Sequence, residues 1–269
     1  MTDPVVPKPA ASVLLVRRSA PGAPEPLEVY MIRRNKGMKF LGGFYAFPGG
    51  RVDPADTAED AFLRCRGLVA ADATGVLECD IVPALAYWVT AIRELLEESG
   101  ILLACDAHGR AVDAAAPGVP AAIDRARDAL MSGVPLVEVL TREGWFGDVR
   151  AMRYLSHFVT PRTSPIRFSA RFFLCPVPAG QAPRLFREEA SEGFWIHPGE
   201  GYRRFLADDM AMAEPAEYAL GYLAQFGSLE ALWEAHADNE HKFRGIVDRI
   251  DVFWKDFDWK QARWPSRPA

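Results

Sequence analysis

The chain has few cysteines, no long apolar run and no surplus of positive charge, and each shortage removes a class of function. Its four cysteines, Cys65, Cys79, Cys105 and Cys175, are scattered without CxxC spacing, which fits neither a zinc site nor a small disulfide framework. A reducing compartment follows as the expectation. No stretch approaches the roughly eighteen apolar residues of a spanning helix, the Pro-rich start from Met1 to Ala11 lacks a leader's apolar segment, and the final Ser-Arg-Pro-Ala is not a known address. A cytoplasmic protein with no membrane partner is expected. The net charge is -5 and no basic stripe with interleaved aromatics occurs, which argues against nucleic acid as a partner. GxSxG, P-loop and GxGxxG motifs are all missing, and with them the commonest signals of serine hydrolases, NTPases and dinucleotide folds. What remains is ordinary globular material: 269 residues, 49% hydrophobic and 25% charged, enough for one large domain with a sizeable core.

Periodicity outlines that domain. Residues 11–16 and 27–33 read as the strands of a hairpin around the Pro-rich turn 19–26, and 35–43 as a basic, glycine-bearing loop leading to Phe44-Tyr45-Ala46-Phe47-Pro48-Gly49-Gly50. Residues 84–99 read as a helix and 101–104 as a strand. The Ala/Gly/Asp/Pro-rich stretch 106–120 reads as a surface loop and 121–140 as helical. Strands are expected over 154–159, 167–177 and 190–196, then helices over 200–206, 215–226 and 229–237.

The chemistry concentrates in Arg93-Glu94-Leu95-Leu96-Glu97-Glu98-Ser99-Gly100-Ile101. On a helix, positions 94, 97 and 98 stand at i, i+3 and i+4, so three carboxylates share a face with Cβ atoms about 5–6 Å apart. Like charges that close weaken a helix unless a cation intervenes, and Mg²⁺ or Mn²⁺ accepts such a set of hard oxygens. Arg93, four before Glu97, is placed to pair with it. Leu85, Trp88, Val89, Ile92, Leu95 and Leu96 supply apolar anchoring on the opposite side, Pro83 suits a first turn and Gly100 a residue just past the last. The competing possibility, a solvated acidic face, is the commoner fate of a lone Glu pair.

Other clusters are weaker. His236 and His241 are five apart, whereas HExxH needs four, so this segment reads as an exposed amphipathic helix. His157 reads as a satisfied strand residue. Alternation over 167–173 puts Arg167, Ser169 and Arg171 on one strand face and the aromatics on the other, and neighbouring arginines call for a nearby anion. The tail from 248 to 264 carries Phe253, Trp254, Phe257, Trp259 and Trp264; it either packs on its own domain or makes a homodimer contact.

Residues 93–101 resemble the second half of the Nudix box, G-x5-E-x7-R-E-U-x-E-E-x-G-U, matching all seven specified positions of that half. Phe47-Pro48-Gly49-Gly50 resembles its opening. Counting on from Gly50 gives Asp56 where the family has Glu, and residues of about 57–82 look like an insertion inside the motif. The box arginine's usual acidic partner is therefore Asp56 or an acid of the insertion such as Glu78 or Asp80. Thr160-Pro161 followed by Pro165-Ile166-Arg167-Phe168-Ser169-Ala170-Arg171-Phe172-Phe173 resembles the subgroup related to mammalian Nudix hydrolase 19, which has an Asp where Ser169 stands and also carries an inserted box.

The resemblance implies an α+β fold, the Nudix α/β/α sandwich with a mixed sheet, as a single domain over 1–269: a core of about 10–200, the insertion at about 57–82 and a helical extension at about 198–269. It implies hydrolysis of the diphosphate bond in a nucleoside-diphosphate compound, foremost coenzyme A (CoA) or acyl-CoA, with an ADP-ribose or nucleotide-sugar pyrophosphatase as the alternative and a non-catalytic binding module as a third reading. Residue by residue, it makes Glu94, Glu97, Glu98 and Gly49 ligands of Mg²⁺ or Mn²⁺, with Arg93 orienting a glutamate. Lys39, Phe47, Arg167 and Arg171 would meet the substrate, and Asp56, Glu189 or Glu192 would supply a further acid.

Overall fold

A computed structural model gives the structure of the protein and describes residues 5–38, 40–77, 81–160, 164–188 and 190–236. Lys39, Glu78, Asp80, Glu189, His241 and the aromatic tail lie outside the described residues.

The hairpin is present and longer than its apolar core. β1 (Lys8–Arg18) and β2 (Leu27–Arg34) pair antiparallel, with Val16 opposite Val29. β3 (Tyr45–Ala46) adds to β2, and β4 (Gly49–Arg51) adds to β1, with Gly49 opposite Ser12 and Gly50 opposite Ala11. The insertion is structured: a 3-10 turn over Pro54–Thr57 leads to α1 (Glu59–Leu63), β5 (Cys65–Arg66) and α2 (Ala70–Val76). The acidic helix is α3 (Ala86–Ser99). It begins later than expected, and Pro83 stands ahead of it, its carbonyl accepting from the Ala86 amide at 3.0 Å. Gly100 ends it in the left-handed region at φ 68°, as a glycine there should.

Beyond α3 come β6 (Ala104–Cys105), α4 (Val119–Met131), α5 (Leu136–Arg142), β7 (Phe146–Asp148), β8 (Arg153–Val159), β9 (Phe168–Pro176) and β10 (Ala190–Ile196). The strand expected over 101–104 shrinks to its end, because the Leu102 amide and carbonyl both bond the Gln181 side chain, each at 2.8 Å, in place of a ladder. β7 gave no signal in the sequence, being three residues around a glycine. α6 (Pro198–Leu206), α7 (Glu214–Leu223) and α8 (Leu229–Glu234) follow.

The large sheet runs β10-β2-β1-β9-β8 and is mixed, since β1 and β9 are parallel while the other neighbours are antiparallel; a small sheet runs β5-β7-β6. Both faces of the large sheet are covered, which is why its central strands read as unbroken apolar runs. Val13 and Leu15 of β1, Ile32 of β2 and Phe173 of β9 face α3, whereas Leu14, Val16, Met31 and Leu174 face α6, α7 and α8. Phe173 therefore shares Arg171's face, against the expectation that the aromatics of this strand sit opposite its arginines.

α3 is enclosed between the large sheet and an outer layer of α1, α2, α4, α5 and the small sheet. All its residues except Glu97 are buried, so its acidic side is not a solvated face. Ala61, Cys65, Ala73 and Leu77 of the insertion pack into the same core as Ile92 and Leu95, and a Cβ on Gly147 of β7 would come within 3.0 Å of Ile92 Cδ1. The insertion is thus part of the outer wall of the helix. His236 is also buried rather than exposed: its Nδ1 donates to the Leu232 carbonyl at 2.8 Å, leaving Nε2 to accept from the Tyr222 hydroxyl at 3.0 Å. No helix among the described residues is long and apolar enough to cross a membrane.

Candidate active site

A buried helix carrying an arginine and two buried glutamates must pair every charge, because an unpaired one costs several kcal/mol. Arg93, 7% exposed, is the hub. Its Nη1 donates to Glu94 Oε1 at 2.8 Å and to Glu97 Oε2 at 3.0 Å, and its Nη2 donates to Asp56 Oδ2 at 2.9 Å and to the Arg51 carbonyl at 2.8 Å. Nε also faces Asp56, 3.1 Å from Oδ1. Burial opposes the charge, yet Glu94, Asp56 and Glu97 more than offset this and raise the Arg93 pKa above the ordinary arginine value. Asp56, 1% exposed, additionally accepts from Thr90 Oγ1 at 2.9 Å and from the Asp53 amide at 3.0 Å. Of the acids weighed as partner of the box arginine, Asp56 fills the place: the 3-10 turn before the insertion carries this shorter side chain to the guanidinium.

The glycine turn closes the site from the sheet side. The Gly49 amide donates to Glu98 Oε2 at 2.7 Å, so Gly49 meets the glutamates through its N–H. At Gly50 a Cβ would lie 2.3 Å from Glu94 Oε1 and 2.5 Å from its carboxyl carbon, so a side chain there would displace that carboxylate. We expect Gly50→Ala to fold and lose on the order of 10–100-fold in turnover, the usual cost of disturbing the support of a ligand; an unchanged kcat in steady-state assays would refute this.

Arg93 Nη1 holds both Glu94 and Glu97, and the Gly49 amide holds Glu98. Among the described residues no group of three His, Cys, Asp or Glu is drawn together tightly enough to hold a metal ion as it stands. In kind, however, the donors fit a divalent cation: hard carboxylate oxygens at i, i+3 and i+4, beside a glycine turn with no room for side chains. Tyr30 is a neighbour that sequence reasoning missed. Burial first, and the Glu98 charge second, raise the pKa of its phenol.

The remaining candidates scatter. Arg171 is buried on the α3 face of β9, its Nη1 donating to Tyr154 Oη at 3.0 Å and its guanidinium 5.7 Å from the Tyr87 ring. Tyr87 lies seven residues before Glu94, on the same helix stripe. Arg167 instead ties backbone together, donating from Nε to the Thr160 carbonyl at 2.9 Å and from Nη1 to the Val5 carbonyl at 2.6 Å. The two arginines thus part in role: Arg167 braces backbone, whereas Arg171 points to the helix that carries the glutamates. His157 shares a 2.8 Å hydrogen bond with Ser169, and burial together with the Arg171 charge pushes its pKa down to about 4, so it is neutral near pH 7. Phe47 is 4% exposed in the core beneath α6 and α7, on the sheet face away from α3. Glu192 is paired with Arg33 at 2.7 Å on the β10 edge.

A cleft opens at the C-terminal end of α3, where Glu97 and Glu98 meet Arg127, Met131, Phe186 and Glu188. Arg127 was legible in principle, since it interrupts the apolar stripe Ile123, Ala126, Leu130 of α4 at a buried position.

A family model described as the NUDT19 Nudix domain matches residues 64–223. Acyl-coenzyme A diphosphatase NUDT19 of Gallus gallus is 27% identical over 276 residues, covering 85% of this chain and 71% of its own length. The Homo sapiens protein of that name is 26% identical over 254 residues, covering 79% of this chain and 65% of its own length, so the chain spans about two thirds of these relatives. A crystal structure of a NUDIX hydrolase from Alicyclobacillus acidocaldarius superposes with a TM-score of 0.67 at 34% identity, covering 86% of this chain and 96% of that one. With the box arginine, its three glutamates and the glycine turn assembled on a sheet of this kind, the chain belongs to the Nudix hydrolases, in the family of the NUDT19 Nudix domain.

Proposed function

We propose that this Nudix hydrolase is a diphosphatase of CoA or acyl-CoA, using Mg²⁺ or Mn²⁺ and yielding adenosine 3′,5′-bisphosphate and a phosphopantetheine product. Divalent-cation use is general among Nudix hydrolases. The observation that carries the reading is the intact glutamate set, Glu94 and Glu97 clamped by Arg93 and Glu98 by the Gly49 amide, joined to relatives named as acyl-coenzyme A diphosphatases. A non-catalytic module would have no reason to retain three carboxylates whose repulsion must be offset by a buried arginine.

When bound, a divalent cation neutralises diphosphate oxygens and lowers the pKa of a coordinated water. Glu94, Glu97 and Glu98 would hold it. Arg93 keeps Glu94 and Glu97 in fixed rotamers, Asp56 and Thr90 hold Arg93 in turn, and the Gly49 amide fixes Glu98, so the ligands are oriented before substrate arrives. The enclosing core keeps this set at low dielectric, where charge stabilisation is strongest.

The expected outcome, with Mg²⁺ or Mn²⁺, is cleavage concentrated on CoA species when the protein is offered CoA, acyl-CoAs, ADP-ribose, NADH, diadenosine polyphosphates and nucleotide sugars with product analysis. Preference for ADP-ribose or sugars would keep the chemistry and discard the CoA assignment. Cleavage of none of them would overturn the catalytic reading.

A further inference from the structure

The cleft beside Glu97 and Glu98 contains a cation that the Nudix box does not supply. Arg127 is 6% exposed and lines the cleft. Its Nε donates to the Glu97 carbonyl at 2.8 Å, one of the last carbonyls of α3, and its guanidinium stacks 3.3 Å from the centre of the Phe186 ring. These two contacts fix the plane of the fork. The outer nitrogens are engaged only loosely: Nη2 stands 3.6 Å from Glu188 Oε2 and Nη1 3.9 Å from Asp128 Oδ1, and both carboxylates belong to exposed side chains. A rigid guanidinium lining a cleft, with loosely held donors, is the arrangement that takes a phosphoryl group bidentately.

The wall behind it is equally fixed. The Arg184 amide donates to the Ser99 carbonyl at 2.9 Å, and Asn35 Nδ2 donates to the carbonyls of Arg187 and Glu188, each at 3.1 Å. A Cβ on Gly100 would come within 3.0 Å of Arg184 Nη2 and 3.3 Å of Phe186 Cε2, so the bare glycine lets this strap lie directly over the end of α3. The strap places Phe186 against Arg127, and carries Glu188 over the same guanidinium.

We infer that Arg127 binds the diphosphate of the substrate beside the metal-binding glutamates, and that the Glu188 carboxylate occupies this anion position until substrate displaces it. The inference rests on the diphosphatase reading for its ligand class. In it, Arg127 takes non-bridging oxygens of the phosphoryl groups, Phe186 holds its plane, and Glu188 acts as a built-in competitor. The two side chains therefore affect substrate affinity in opposite directions.

The test is direct binding of α,β-methylene-ADP, a diphosphate that cannot be cleaved at the bridging position, measured by calorimetry with excess Mg²⁺ on the full chain. Arg127→Met is expected to weaken binding about 10–100-fold, the range for lost hydrogen bonds to a charged group, with Arg127→Lys recovering part of it. Glu188→Gln is expected to tighten binding several-fold; being exposed, it should not disturb the fold. In steady-state cleavage the same variants should move KM more than kcat. If Glu188→Gln binds no tighter than the parent, or if a folded Arg127→Met binds as well as the parent, the inference is overturned. An Arg127→Met that lowers kcat alone would also overturn it, marking a structural prop for the end of α3. Failure of the substrate panel with these binding shifts intact would overturn the catalytic reading and leave the anion site standing.

Discussion

Replacing Arg93 with methionine will remove about 3–5 kcal/mol of folding stability, the usual cost of leaving one side of a buried ion pair uncompensated. The guanidinium is 7% exposed and its principal partner, Asp56, is 1% exposed, so water cannot take over the lost contacts. Methionine nearly fills the volume, which makes the effect electrostatic more than one of cavity formation. Asp56 loses its bonds to Nη2 and Nε, Glu94 and Glu97 lose the donor between them, and the Arg51 carbonyl loses its 2.8 Å bond. Adding Asp56→Asn to Arg93→Met should restore part of the loss, because the residue left most deeply buried is then neutral and Thr90 can still donate to it. Urea unfolding of the four members of this double-mutant cycle checks the prediction. A loss below about 1 kcal/mol for Arg93→Met, the range of exposed ion pairs, would mean that the hub is not buried in solution as it is here.

How much of this was legible beforehand follows from the range over which each feature is determined. The strands of the large sheet and the helix 86–99 rest on periodicities of two and 3.6, and local sequence carries those. The role of Asp56 does not. Counting residues left Asp56, Glu78 and Asp80 as equal candidates, because the insertion breaks the spacing that identifies the partner; only the 3-10 turn at Pro54–Thr57 and Thr90 on the next helix decide it. The short strands β5 and β7 were invisible for a related reason: two or three residues hold no period, and their pairing is a long-range event that joins the insertion to residues 146–148. Arg167 and Arg171 show the complementary case. Alternation placed them on one face, but it could not show that their contacts include carbonyls, a phenol and ring faces contributed by residues as distant as Val5 and Tyr87. Side-chain type and spacing identified the charges; the third dimension identified what they meet.

The glutamates separate structure from chemistry in the way Arg93 does not. Glu98→Gln and Glu97→Gln are each expected to lower turnover by about 10²–10⁴-fold, the range for a lost metal ligand or general base, with little change in unfolding midpoint. The reason lies in what the protein asks of each oxygen. The Gly49 amide donates to Glu98 and Arg93 Nη1 to Glu97, and a glutamine carbonyl can accept either. Packing survives because the side chains are nearly isosteric; what disappears is one negative charge from a set whose function is to attract a cation. Removing one of three like charges also relieves repulsion along α3, which should offset part of the weakened bond to Arg93. Isothermal binding of Mn²⁺ and kcat on the cleaved substrate, measured beside thermal melts, give the three readings needed. A folded double variant, Glu97→Gln with Glu98→Gln, that turns over at the parent rate would show that the carboxylates at the end of α3 are structural and would move the search for the chemistry elsewhere in the molecule.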